Sequence, residues 1–264
     1  MDLQLTQKHV LITGGSKGIG LACAETFLNE GARVTLVSRD RANLDAALKT
    51  LSTHHPATSI HTIAADLREA ASGLAVLNNA EAHFGPVDVL VNSAGAAKRT
   101  PPEELNPQVW HDAMQAKYFS YIHMIDPTIQ RMGQRGAGVV VNVIGAGGKV
   151  ASPIHMPGGA ANAALMLATA GLASAYAAKG VRVNAVNPGA TVTDRLKEGF
   201  AADARANGIS EEEAMKRTTA RIPLGRMAEP REIADAVVFL ASPRASYISG
   251  VSLTMDGVMT PTVL

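Results

Sequence analysis

Residues 9–20 run His9-Val10-Leu11-Ile12-Thr13-Gly14-Gly15-Ser16-Lys17-Gly18-Ile19-Gly20. The first part is a short apolar run of strand type. It ends in a turn rich in glycine, and an apolar helical pattern follows at once. Glycine lets a backbone turn tightly and approach another group closely. A helix N-terminus offers unpaired N–H groups and the positive end of the helix dipole. Glycine-rich turns also mark ordinary chain reversals. The strand–turn–helix order at this turn points instead to a cradle for the phosphates of a nucleotide.

The same order repeats outward along nearly the whole chain. Short Val- and Ile-rich runs at 9–15, 33–39, 59–66, 87–95, 138–145, 181–189 and 251–257 read as strands. Several are apolar at consecutive positions, the pattern of a parallel strand covered on both faces. Helical patterns at 18–30, 44–51, 69–84, 102–132, 158–179 and 230–240 alternate with them. This alternation implies right-handed crossovers. It predicts one α/β domain over 1–264, a doubly wound parallel sheet of about seven strands with helices on both faces. The most polar stretch, 193–229, contains Glu211-Glu212-Glu213. It reads either as a solvated helical insert or, just past a strand's carboxyl end, as a lid over a ligand crevice.

Composition removes several classes. Of 264 residues, 47% are hydrophobic and 18% charged, enough for a large core and incompatible with disorder. With 24 Lys+Arg against 23 Asp+Glu, there is no electrostatic footprint for nucleic acid or an acidic membrane. The single cysteine, Cys23, excludes an intramolecular disulfide, and no histidine spacing suggests a metal site. Cys23 is expected to pack as a small apolar residue. Met1-Asp2-Leu3-Gln4 lacks the basic and apolar stretches of a secretory leader, so a cytoplasmic location is expected. Residues 150–178 carry no formal charge over a length that can span a bilayer. Their Ala and Gly gain little from lipid, and the expectation is a soluble helix buried on most sides.

The spacing Thr-Gly-x-x-x-Gly-Ile-Gly over 13–20 resembles the short-chain dehydrogenase/reductase family. Asn92-Ser93-Ala94-Gly95 is similar to that family's Asn-Asn-Ala-Gly, with one substitution. Asp66-Leu67, Asn187-Pro188-Gly189 with Thr191 and Thr193, and Met255-Asp256-Gly257 resemble further family segments. The likeness runs over nearly all 264 residues and implies a Rossmann-like fold with a nicotinamide dinucleotide. It implies phosphate and ribose contacts at Thr13, Gly14, Ser16, Lys17, Gly18, Ile19, Gly20, Asn92, Ala94 and Gly95. Asp66 and Leu67 would meet the adenine, and Pro188, Gly189, Thr191 and Thr193 would lie near the nicotinamide.

Charge addresses which dinucleotide. An NAD-preferring site places a carboxylate at the end of the second strand to hold the ribose 2′-hydroxyl. Here Ser38 and Arg39 stand there, and a guanidinium suits a 2′-phosphate. Lys17 adds a second cation. NADP(H) is therefore favoured. NAD(H) stays open if Asp40 folds back towards the ribose instead of capping the next helix.

The catalytic positions depart from the family pattern of Asn, Ser, Tyr and Lys. No Lys in the chain has a Tyr four residues before it. By local alignment, Gly145 falls where Ser is expected, Gly158 where Tyr is expected, Asn162 where Lys is expected and Lys117 where Asn is expected. Two readings of Lys117 stand: it restores an ammonium to the site with a lowered pKa suited to proton transfer, or it reaches solvent or a carboxylate. Asn162 would hydrogen-bond the ribose. His155 is a second candidate acid, or an exposed bystander. Tyr118 lies about 100° round the helix from Lys117, so the two should not share a site.

The Ala-rich pattern over 158–179 leaves an apolar outer side and predicts a homo-oligomer, a dimer or tetramer. Three functions are open. The first is an NADP(H)-dependent oxidoreductase of a small carbonyl or alcohol with a nonstandard proton donor. The second is a catalytically silent dinucleotide-binding sensor or partner protein. The third is a lyase or isomerase on the same fold, since function depends on the site.

Overall fold

The computed structural model describes residues 1–95 and 98–261, the side chains of residues 198, 202 and 206 excepted. Seven strands form one parallel sheet: β1 (His9–Thr13), β2 (Arg33–Ser38), β3 (Ile60–Ala64), β4 (Val89–Asn92), β5 (Gly138–Val143), β6 (Val181–Pro188) and β7 (Ser252–Met255). Their order is β3-β2-β1-β4-β5-β6-β7. The winding reverses between β1 and β4. A crevice opens beyond the carboxyl ends of strands at such a switch point.

Around the sheet run α1 (Gly18–Asn29), α2 (Arg41–Leu51), α3 (Ala70–Phe84), α4 (Pro107–Ala113), α5 (Ser120–Arg135), α6 (Met156–Tyr176), α7 (Asp194–Asn207), α8 (Glu211–Ala220) and α9 (Pro230–Ala241). The consecutive apolar residues of the strands feed two cores. Val10 and Ile12 of β1 join Phe27 of α1 and Val237 of α9. Leu11, between them, joins Leu77 of α3 and Met124 of α5 on the other face. Each such side chain contributes roughly 1.5–3 kcal/mol by leaving water. The expected doubly wound α/β sheet is thus present, with all seven strands inside the expected stretches.

The helices differ from expectation in three places. First, α2 starts at Arg41 because the Asp40 side chain accepts the Asn43 N–H at 3.0 Å and fixes the cap. Second, residues 102–132 are not one helix. A 3₁₀ turn, Pro102–Glu104, precedes α4, whose cap Asn106 accepts from the Val109 N–H. A π-helical turn, Met114–Phe119, then separates α4 from α5. The last of these helices continues to Arg135, where Gly136 at φ 77° ends it. Third, α6 is not buried on most sides. It lays Gly158, Ala161, Asn162, Leu165, Thr169 and Ala173 on the sheet, and Leu167 is 77% exposed. The sheet covers only one face of the helix, and among the described residues nothing covers Leu167 on the other. Pro153–Lys179 is long and apolar enough to cross a membrane by length and composition, with 28% of its most apolar window buried.

The polar stretch 193–229 holds α7 and α8, each started by a side-chain cap, Thr193 and Ser210. It lies beyond the carboxyl end of β6, as the sequence implied.

Candidate active site

The turn after β1 is packed backbone against backbone. Gly14 has φ +66°, and a Cβ there would stand 2.7 Å from the Ser93 carbonyl oxygen. A Cβ at Gly20 would strike the Gly14 carbonyl. Glycine is therefore required at both positions by contact with main chain, which cannot give way. Lys17, the exposed N-cap of α1, makes no side-chain cap bond, so the first-turn N–H groups stay available.

Thr13 and Asn92 are fully buried below this turn. The Thr13 hydroxyl accepts the Ser93 and Ala94 N–H groups at 3.2 Å. Asn92 Nδ2 donates to Asn142 Oδ1 at 3.0 Å, and Asn142 Nδ2 donates to the Thr169 hydroxyl at 3.0 Å. The side chains of Thr13 and Asn92 thus tie β1, β4, β5 and α6 together under the crevice floor.

The crevice, about 690 Å³, runs from Ser38, Arg39, Asp66 and Leu67 past Gly14 to Gly95, Lys98 and Arg195. The Ser16 hydroxyl donates to that of Ser38 at 3.0 Å. Arg39 is exposed at the crevice wall. Asp40 is held at the α2 cap, away from the role that would favour NAD(H). Asp66 pairs with Arg68, whose hydrogen bonds hold its carboxyl below the usual range. Arg68, which sequence reasoning missed, adds a second guanidinium to this end. Its signal was its place two residues after Asp66.

At the other end the 193–229 segment leans over the turn. Thr193 caps α7, and its methyl group would lie 3.3 Å from a Cβ at Gly18. Arg195 Nη1 donates to the Gly95 carbonyl at 3.3 Å. Gly189 fits against Asp256, whose Cβ would be 2.8 Å from a Cβ there. Thr191 bridges to Ala228, with Pro188 buried just before it. Asn187, fully buried, leaves both polar side-chain atoms without a partner.

Lys117 sits in the π-helical turn and is 7% exposed. Its Nζ donates to the Tyr121 hydroxyl at 2.7 Å and to the Val143 carbonyl at 3.1 Å. Burial, then the charge of Arg195, pushes its pKa down to about 7. Lys117 thus reaches neither solvent nor a carboxylate. Tyr121 is fully buried, donates to the same carbonyl, and burial pushes its phenol up. Sequence reasoning missed Tyr121 because it searched for Tyr four residues before Lys, and the order here is reversed. Tyr118 packs against Phe119 instead.

Gly145 has φ +128°, and a Cβ there would meet only Asn162 Nδ2, at 3.3 Å. Asn162, buried near the start of α6, faces this loop, and Gly158 is buried on the same helix. His155 is half-buried beside Gly147, with Nδ1 buried and unpartnered. Burial, followed by the charges of Arg99, Arg195 and Lys117, holds its pKa below the ordinary value. Cys23 is buried away from the crevice, and its thiol is pushed up to about 12. Among the described residues no group of His, Cys, Asp or Glu is arranged to hold a metal ion.

Residues 14–260 match the family model described as enoyl-(acyl carrier protein) reductase. The chain belongs to the short-chain dehydrogenase/reductase family. The 3alpha-hydroxysteroid dehydrogenase of Mediterraneibacter gnavus is 32% identical over 261 residues, covering 97% of this chain and 98% of that protein. The D-threitol dehydrogenase of Mycolicibacterium smegmatis is 34% identical, over 97% and 94% of the two chains. Among solved structures, L-sorbose reductase from Gluconobacter frateurii with NADPH and L-sorbose has a TM-score of 0.91 at 28% identity, covering both chains fully. The NADPH-bound short-chain oxidoreductase of Pseudomonas aeruginosa PAO1, which contains an atypical catalytic center, has a TM-score of 0.87 at 29% identity, over 98% and 100%.

In this short-chain dehydrogenase/reductase the residues present fit a dinucleotide. The Gly14 and Gly20 contacts let the turn pack main chain on main chain at the start of α1, the α1 N–H groups are not capped by a side chain, and the guanidiniums of Arg39 and Arg68 line the far end of the crevice.

Proposed function

We propose that the protein is an NADP(H)-dependent oxidoreductase of a small carbonyl or alcohol, with Lys117 as its nonstandard proton donor. The observation that carries this is a buried amine with its pKa pushed down to about 7, on the helical stretch whose Ala116 and Ser120 line the crevice. When bound, the nicotinamide supplies a hydride to a carbonyl carbon or accepts one from an alcohol. Lys117 gives a proton from Nζ to the carbonyl oxygen in reduction and takes it back in oxidation. Tyr121 and the Val143 carbonyl hold that amine in place. Gly145 and Gly158, in the positions of the usual Ser and Tyr, leave the volume through which substrate oxygen and amine meet. Asn162 hydrogen-bonds the ribose in place of the usual Lys, and His155 lines the substrate mouth.

Arg39 selects the 2′-phosphate, with Lys17 near the diphosphate. Residues 1–264 act as one dinucleotide-binding unit whose 193–229 segment is the lid. The uncovered face of α6 joins copies into a dimer or tetramer, and the enzyme works in the cytoplasm.

The test is turnover of NADPH with a panel of small ketones and aldehydes, for wild type and Lys117→Ala, with NADPH affinity measured beside it by fluorescence. Loss of ~10²–10⁴-fold in rate with affinity retained supports the reading. Unchanged rates reject it. One observation favours a second reading, a catalytically silent dinucleotide-binding protein: the bonds of Lys117 Nζ go to Tyr121 and Val143 within the protein. NADPH binding without turnover of any tested carbonyl supports that reading.

A further inference from the structure

We infer that Arg68 is a specificity-determining residue for the dinucleotide, reading the Watson–Crick edge of its adenine together with Asp66. This rests on the dinucleotide site of the reading above and gives a role there to a residue that the family likeness leaves without one.

The far end of the crevice suits a flat ring with a polar edge. Val37 of β2, with Ala65 and Leu67 just past β3, lines it on one side, and Val109 and Ala113 of α4 line it on the other. A base buries its faces against such apolar walls, and a phosphate does not. The loop between β3 and α3, which carries Asp66 and Arg68, is fastened on both sides. The Ala65 N–H donates to the Ser38 carbonyl at 3.0 Å, and His123 Nδ1 donates to the Leu67 carbonyl at 2.9 Å. Asp66 and Arg68 both line this end of the crevice, on a loop tied to the last residue of β2.

The two side chains are locked to each other. Asp66 Oδ1 accepts the Arg68 backbone N–H at 3.0 Å and Arg68 Nε at 3.0 Å. Asp66 Oδ2 accepts Arg68 Nε at 3.0 Å and Nη2 at 2.5 Å. Arg68 Nη1 takes part in none of these bonds, and no other described residue accepts from it. Glu69 and Asp112 act on Arg68 by charge, but among the described residues its only ion pair is with Asp66. Hydrogen bonds from Arg68, with the charge of Arg39 adding to them, hold the Asp66 carboxyl below the usual range, so it is ionised at neutral pH and only accepts. The pair therefore offers an accepting carboxylate beside a donating guanidinium N–H. Adenine carries the matching groups along one edge, the N6 amino donor next to the N1 acceptor. Hypoxanthine reverses both, with an accepting O6 next to a donating N1–H. Against this pair its groups would meet their own kind, and such mismatches are what reject an analogue.

The experiment titrates the full chain by fluorescence with NADPH, NADH and the hypoxanthine analogue of NADPH, for wild type and Arg68→Ala. Arg68 stands half in solvent, so its truncation leaves the core intact. Wild type should bind NADPH about tenfold or more tightly than the hypoxanthine analogue. Arg68→Ala should cut that preference to about threefold or less and leave the ratio of NADPH to NADH affinity unchanged, because that ratio belongs to Arg39. Equal binding of NADPH and its analogue by wild type, or a preference that survives in Arg68→Ala, overturns the inference. So does a loss in Arg68→Ala confined to NADPH over NADH, which would place the guanidinium at the 2′-phosphate. Each of these leaves the oxidoreductase reading standing, whereas a wild type that binds no NADPH sinks that reading itself.

Discussion

Lys117 Nζ and the Tyr121 hydroxyl stand 2.7 Å apart, one turn apart on the same helical stretch, and both bond the Val143 carbonyl. The π-helical turn at Met114–Phe119 accompanies this geometry, and such turns occur often at functional sites. An amine so enclosed is costly to charge. Its folded value is about 7 against the ordinary 10.5. The folded state is therefore penalised for carrying the ammonium below pH ~7, and the penalty fades as pH rises towards the unfolded value. Lys117→Met should raise stability by roughly 2–5 kcal/mol at or below neutral pH and by less in alkali, read by denaturant unfolding across pH. The same group sets the rate profile: reduction should fall, and oxidation rise, as pH increases through about 7.

Arg39 faces the crevice while Asp40 is committed to the α2 cap. Arg39→Asp should weaken NADPH by about 10–100-fold and leave NADH unchanged or improved. Paired fluorescence titrations measure this. Equal losses for both coenzymes would show that the side chain does not meet the 2′-phosphate.

Gly14 combines a left-handed backbone with main-chain neighbours inside 3 Å of any Cβ. Gly14→Ala should cost about 2–4 kcal/mol and abolish tight NADPH binding. Thermal unfolding with and without NADPH tests both, since the coenzyme should stabilise wild type but not the variant.

His9 is fully buried, its ring nitrogens on the Gly85 carbonyl at 2.8 Å and the Thr35 hydroxyl at 2.9 Å. Burial lowers its folded pKa beneath the ordinary 6.5. A base depressed in the folded state must be protonated on unfolding, so stability is full above pH ~6.5 and is lost as pH falls below it. Tm measured from pH 7.5 to 5 should drop more steeply for wild type than for His9→Gln. Identical slopes would assign the acid sensitivity elsewhere.

Leu167 projects from the uncovered face of α6 at 77% exposure. Leu167→Glu should convert the proposed oligomer to a monomer, read by light scattering, with the sheet intact by circular dichroism. A wild-type protein that is already monomeric removes the assembly proposal.

Much of this was legible in residue order. Apolar runs with no polar alternation marked parallel strands, and the 13–20 spacing marked the cradle, because both depend on local backbone demands. The breaks within 102–135 were less legible, since Pro107 and the Asn106 cap are short signals inside one long apolar pattern. Tyr121 was missed because its significance lies in a contact with Lys117.

The amino-acid order alone determined the sheet, its seven strands and the glycine turn, since periodicity and steric freedom are properties of neighbours along the chain. Only the tertiary structure decided what surrounds Lys117 and that Asp40 is a cap. Burial, charge and hydrogen-bond partners are set by groups far apart in sequence, and the chemistry of a side chain changes with its surroundings.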